Sequence, residues 1–140
     1  KRFGFSGCFF FITNLKCMKK IVIIDDDQDF VSVAGKVLSH IGKFDVVAHT
    51  DSSDAMDLIR REKPDLIIVD IMMPKVDGFT ILRNVRTSAD LQHIKVIVCS
   101  AKIFDVDKKN ALKLGANEYI SKITAASELV DKVNAVLGTV

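Results

Sequence analysis

Asp65-Leu66-Ile67-Ile68-Val69-Asp70-Ile71-Met72-Met73-Pro74 sets four consecutive apolar residues between two aspartates. A short apolar run without alternation is the pattern of a strand covered on both faces, and such strands belong to parallel sheets. Three more runs share the design. Ile21-Val22-Ile23-Ile24 stops at Asp25-Asp26, Val96-Ile97-Val98-Cys99 stops at Ser100, and Glu118-Tyr119-Ile120-Ser121 stops at Lys122. In an open parallel sheet the carboxyl ends of the strands share one edge, where ligands bind. That edge would gather three carboxylates, one hydroxyl and one ammonium. Such a group suits a divalent cation together with a phosphoryl group.

Helical patterns fill the gaps between these runs. Gln28 to about His40 carries Phe30, Val33, Ala34, Val37, Leu38 and Ile41 at helical spacing, with Gly42 as the stop. Phe44 to Ala48 reads as a short second strand. Ser52-Ser53-Asp54 offers caps for a helix running to Glu62, with Ala55, Met56, Leu58 and Ile59 inward, and Lys63-Pro64 ends it. Further helices are expected from Gly78 to Arg86, from Asp105 to Leu114 before Gly115, and from Ala125 to Leu137. Strand and helix alternate five times. The expected fold is α/β, a (βα)5 doubly wound five-stranded parallel sheet. Residues 18–140 form that one domain.

The 140 residues suffice for a proper core, and 49% hydrophobic with 27% charged residues is an ordinary globular balance. A net charge of +2 does not suggest a nucleic-acid binder. Residues 1–17 stand apart. They hold five of the nine Phe and two of the three Cys, Cys8 and Cys17, with Lys1, Arg2 and Lys16 and no acid. Beyond them 17 basic residues face 18 acidic ones, a balance of −1. The stretch lacks a small-x-small cleavage site and is too short and interrupted for a membrane span. It is expected to be a leader outside the fold, upstream or added sequence before Met18-Lys19-Lys20. The domain then keeps one thiol, Cys99, in a buried strand, the usual state of a structural cytosolic cysteine. A cytoplasmic location without membrane contact is the expectation.

With these motifs in order, residues 19–138 resemble the receiver domain of two-component response regulators. The acidic pair after the first strand matches Asp25-Asp26, and the phosphoacceptor ending the third strand matches Asp70. Pro74 and Gly78 follow at the family's intervals. Ser100-Ala101 ends the fourth strand, and Tyr119 with Lys122 lies on the fifth after Gly115-Ala116. The resemblance implies the flavodoxin-like strand order 2-1-3-4-5. It implies that Asp70 takes a phosphoryl group from a phosphohistidine on a sensor histidine kinase or phosphotransfer protein. Mg²⁺ would be held by Asp26, Asp70 and the backbone carbonyl of Met72, with Asp25 acting through a water. Lys122 and Ser100 would contact the phosphoryl oxygens. Ser100 and Tyr119 would report phosphorylation to the surface of the fourth helix, fifth strand and fifth helix, where a homodimer would form. The domain would make no direct nucleic-acid contact. It would not be an enzyme beyond self-phosphorylation and slow self-dephosphorylation: Met72 is bulky enough to cover the phosphoryl group and has no strong donor or acceptor for a water, and charged Lys102 cannot accept a proton from one.

The bland readings differ residue by residue. Asp27 and Asp29 suit a helix start and Asp77 a cap. His40, His49 and His93 are scattered and receive no role, and Lys108-Lys109 reads as a solvated face. One departure stands out: Ile123 follows Lys122 where the family has a cis-joined proline. A cis bond before a non-proline costs roughly 2.5–4 kcal/mol, so Lys122–Ile123 is expected to be trans. Two alternatives remain. A pseudo-receiver interaction module would share the fold without the chemistry. A haloacid-dehalogenase-type phosphohydrolase would use Asp25 as nucleophile and Asp27 as acid, but Asp29 stands where that family has Thr or Val, and Asp70 would have no task.

Overall fold

The computed structural model describes residues 2–3, 18–101 and 104–138. Five parallel strands form the sheet: β1 (Lys20–Ile24), β2 (Asp45–His49), β3 (Leu66–Val69), β4 (Lys95–Ser100) and β5 (Glu118–Ser121). Their order is β2-β1-β3-β4-β5. The register sets Ile21 beside Leu66 and Ile24 beside Val69, so Asp25 and Asp70 leave adjacent strands at the same level. Beside β2, Arg2–Phe3 adds a two-residue antiparallel strand, with Arg2 opposite Val47 and Phe3 opposite Val46. Residues 4–17, including Cys8 and Cys17, lie outside the described residues.

The apolar runs are divided between two cores. Val22, Ile24, Ile67, Val69, Val96 and Val98 face helices α2 (Ala55–Glu62), α3 (Gly78–Thr87) and α4 (Asp105–Lys113). Ile21, Ile23, Leu66, Ile68, Ile97 and Cys99 face α1 (Gln28–Lys36) and α5 (Ala125–Leu137). Strand side chains alternate between faces, so a strand covered on both sides must be apolar throughout. This is why the runs show no alternation.

Several boundaries differ from the sequence reading. α1 gives way to a π-helical segment at Val37–Ile41, closed by the Gly42 N–H donating to the Val37 carbonyl at 3.2 Å. Of the expected face, Ala34 and Leu38 are buried and Phe30 packs against the same core, but Val33 is 51% and Ile41 69% exposed, and Val31, outside that face, is buried. Gly42 is not the left-handed residue: Lys43 takes φ 61. Gly42 is required for space, because a Cβ there would lie 2.6 Å from the Phe44 ring. β2 starts at Asp45, one residue late, and β4 extends through Ser100. A 3₁₀ turn at Ser52–Asp54, capped by Asp51, precedes α2. Lys63 ends α2 in the left-handed region, before Pro64.

Candidate functional site

Asp25, Asp70, Ser100 and Lys122 converge at the carboxyl edge of the sheet, as the punctuation of the runs suggested. Asp25, Asp70 and Ser100 are buried, and the Lys122 side chain is 11% exposed. Lys122 Nζ donates to Asp70 Oδ2 at 3.0 Å and stands 2.7 Å from Asp25 Oδ2. The second contact is a tight, buried ion pair. The Asp27 N–H donates to Asp25 Oδ1 at 2.9 Å, and the Met72 N–H to Asp70 Oδ1 at 3.2 Å.

Burial pushes the Asp25 carboxyl up to about 6. Lys122 and the Asp27 N–H pull it down, and the neighbouring Asp70 carboxylate adds to the rise. Burial alone would lower the Lys122 ammonium, but the two carboxylates outweigh it and hold the group above its usual range. Asp26 is exposed and completes an acidic triad: oxygens of Asp25, Asp26 and Asp70 lie within 4.8 Å of one another. An all-oxygen set of three clustered carboxylates facing one ammonium suits a hard divalent cation, and these residues fit one.

Other expected residues take definite places. Tyr119 is buried and shares a side-chain hydrogen bond with Ser100; burial raises its phenol, against that bond. Asp27 caps α1, accepting the N–H groups of Asp29 at 3.1 Å and Phe30 at 3.2 Å, so its carboxylate serves the helix. Asp77 caps α3 through the Thr80 N–H at 2.8 Å. Met72 is 58% exposed above the site. Lys102 lies outside the described residues. The Lys122–Ile123 peptide is trans.

Three supports escaped the sequence reading. The Phe30 ring centroid stands 4.9 Å from Lys122 Nζ. The Ile123 N–H donates to Ser121 Oγ at 3.1 Å. The loop after Asp70 is tied to the loop before α2, with the Val76 N–H donating to Ser52 Oγ at 2.9 Å and Lys75 paired with Asp51 at 3.2 Å. All three join residues distant in sequence or depend on a turn's detailed path, and no periodicity announces them.

Residues 21–134 match the family described as "Response regulator receiver domain". The chain belongs to this family. The receiver domain is 35% identical over 124 residues to the "Probable transcriptional regulator ycf27" of Guillardia theta, covering 89% of this chain and 47% of that protein. The chain thus spans about half the length of that relative. It is similar to the BeF3-activated N-terminal receiver domain of Klebsiella pneumoniae RstA, at 31% identity and TM-score 0.73, covering 85% and 98% of the two chains. A DNA-binding response regulator of the LuxR family from Staphylococcus aureus superposes at TM-score 0.79 with 28% identity, covering 86% and 99%. The receiver domain is therefore a component of two-component signalling. Among the described residues no helix is long and apolar enough to cross a membrane.

Proposed function

We propose that Asp70 is the phosphoacceptor and receives a phosphoryl group from a phosphohistidine on a sensor histidine kinase or phosphotransfer protein. The observation that carries this is the Asp70 carboxylate, held at a strand end by the Met72 N–H and the Lys122 ammonium beside two further carboxylates. An Asp70 oxygen attacks phosphorus, the new O–P bond forms as the N–P bond breaks, and the donor imidazole leaves and takes up a proton. Lys122 is placed to follow the incoming charge from the carboxylate onto the phosphoryl oxygens. Ser100, buried beside them, offers a hydroxyl donor and passes the change to its hydrogen-bonded partner Tyr119.

Asp26, Asp70 and the Met72 carbonyl would hold Mg²⁺, with Asp25 acting through a water. The bound ion would neutralise charge on the transferring group. The BeF3-activated state of the RstA receiver supports carrying this reading to the present chain. Turnover of phosphate esters is not part of the function, which is acceptance, slow loss and conformational switching in the cytoplasm. Homodimerisation through α4, β5 and α5 belongs to the same reading; α4 buries only Ala111 and leaves Val106 and Leu112 exposed. Residues 18–140 form the receiver unit, and residues 1–17 precede it.

Acetyl phosphate with Mg²⁺ should give stoichiometric, acid-labile labelling, and Asp70→Asn should abolish it. Undiminished labelling of that variant would remove Asp70 from the role. No labelling of the parent would favour a pseudo-receiver.

A further inference from the structure

We propose that Phe30 is a positioning residue for Lys122, holding the ammonium over its ring face, with the Ser121 hydroxyl fixing the turn that delivers it. Lys122 stands on a flexible four-carbon stem, and the family's constraint on the next residue is missing, since Ile123 replaces proline. Yet the ammonium is well placed, 3.0 Å from Asp70 Oδ2 and 2.7 Å from Asp25 Oδ2.

Two features of this chain account for that placement. The first is the turn. Residue 123 has an N–H because it is not proline, and it donates that N–H to Ser121 Oγ at 3.1 Å. The Lys122 N–H is anchored on the Ser100 carbonyl at 2.9 Å, and the Thr124 N–H reaches the Ser121 carbonyl at 3.3 Å. Three consecutive N–H groups are thus satisfied around Lys122, with the peptide trans. A proline at 123 could not make the middle bond.

The second feature is the ring. Phe30 lies in the first turn of α1 and packs against the core shared by α1 and α5. Its centroid is 4.9 Å from Lys122 Nζ, within the range of a cation–π contact. Asp70 takes up an N–H of the ammonium and Asp25 pairs with its charge, whereas the ring face attracts it without taking up an N–H. The ammonium therefore keeps its donors for Asp70 and then for the phosphoryl oxygens. The desolvated site strengthens this attraction. Leucine would fill similar space but would present no quadrupole.

The role in transfer rests on Asp70 being the phosphoacceptor, whereas the contact itself does not. The ring current of Phe30 should shift the Lys122 Hε resonances upfield in the metal-free domain, and Phe30→Leu should remove that shift. Labelling by acetyl phosphate at saturating Mg²⁺ should be about 3- to 30-fold slower in Phe30→Leu. Phe30→Tyr, which keeps the ring face, should restore it. Mg²⁺ affinity by calorimetry should change less than about twofold, since Phe30 is not a ligand. In a Lys122→Ala background Phe30→Leu should slow labelling no further. Ser121→Ala should slow labelling and Ser121→Thr should not. An unshifted Lys122 Hε in the parent overturns the contact. A parental rate in Phe30→Leu, or an equal loss when Lys122 is absent, overturns the positioning role. A parent that takes no label defeats the phosphoacceptor reading and the transfer role with it, and the resonance shift then decides the contact alone.

Discussion

At the residue scale, Asp25 and Asp26 are neighbours with different surroundings. Asp25 is buried, bonded to the Asp27 N–H and paired with Lys122, whereas Asp26 is exposed. With Asp26 as the direct ligand, Asp26→Ala should weaken Mg²⁺ binding more than Asp25→Ala, measured by calorimetric titration of the two variants. Equal losses would contradict the division between direct and water-mediated contact. Met72 presents a different question. Its backbone N–H is tied to Asp70, but its side chain projects outward and carries no strong donor or acceptor that could orient a water. Met72→Asn should therefore shorten the life of the acyl phosphate, followed as loss of label after the donor is removed. A variant that keeps its phosphate as long as the parent would end this account of Met72. The residues at the strand ends were legible in the sequence because each is a lone polar group closing an apolar run. Phe30 and Ser121 were not, because the ring's partner is set by how α1 lies against the β5–α5 turn and the hydroxyl's by the path of that turn.

At the element scale, α1 shows where pattern reading runs out. Two apolar stripes compete in Phe30-Val31-Ser32-Val33-Ala34-Gly35-Lys36-Val37-Leu38. One runs through Val33 and Val37 to Ile41 beyond it, the other through Val31, Ala34 and Leu38, with Phe30 packed at the edge of the same core. The second is buried, and Gly35 is buried with it. Small residues at 34 and 35 let the helix approach the sheet closely, and that decides the phase over the bulkier stripe. The continuous runs of β1, β3, β4 and β5 carried no such ambiguity, since both faces are covered and phase does not matter. Arg86 adds a tie no pattern could show: its guanidinium donates to the carbonyls of Gly115 at 2.9 Å, Ile94 at 2.6 Å and Gln92 at 3.1 Å, and to the Asn117 side chain at 2.9 Å. The start of α3 depends on one glycine. A Cβ on Gly78 would collide with the Asp70 carbonyl oxygen and lie 3.0 Å from the Ile71 Cα. Both are backbone atoms and cannot swing aside, and the Gly78 N–H also donates to the Ile71 carbonyl at 3.2 Å. Gly78→Ala should cost about 1–3 kcal/mol in urea unfolding and also slow labelling, because relief requires moving the backbone of Asp70. Unchanged stability would mean that α3 can slide without cost.

At the scale of the whole molecule, the site opposes the stability of the fold that assembles it. The sheet brings Asp25 and Asp70 to adjacent strand ends, and burial lifts the Asp25 carboxyl from 3.8 to about 6. A raised folded-state pKa means that the protonated form is favoured on folding. The resulting stability is fully present below about 3.8 and is lost as pH rises through about 6. At neutral pH the metal-free domain therefore bears a penalty on the order of 2–3 kcal/mol from this one group. Asn at position 25 keeps the oxygen that accepts the Asp27 N–H and removes the charge. The Asp25→Asn variant should be more stable than the parent at pH 7 without metal, and the advantage should shrink as pH falls from about 6 towards 4. Mg²⁺ should narrow the gap, because a ligand bound only by the folded state adds RT ln(1 + [Mg²⁺]/Kd), about 1.4 kcal/mol at ten times Kd. The parent should gain this in full and Asp25→Asn less. Thermal unfolding of both proteins at pH 5 and pH 7, with and without Mg²⁺, measures the pH dependence and the Mg²⁺ gain of each. If the variant is less stable than the parent at pH 7 without metal, the Lys122 ion pair outweighs the burial of Asp25, and the acidic pocket stabilises the fold instead of straining it.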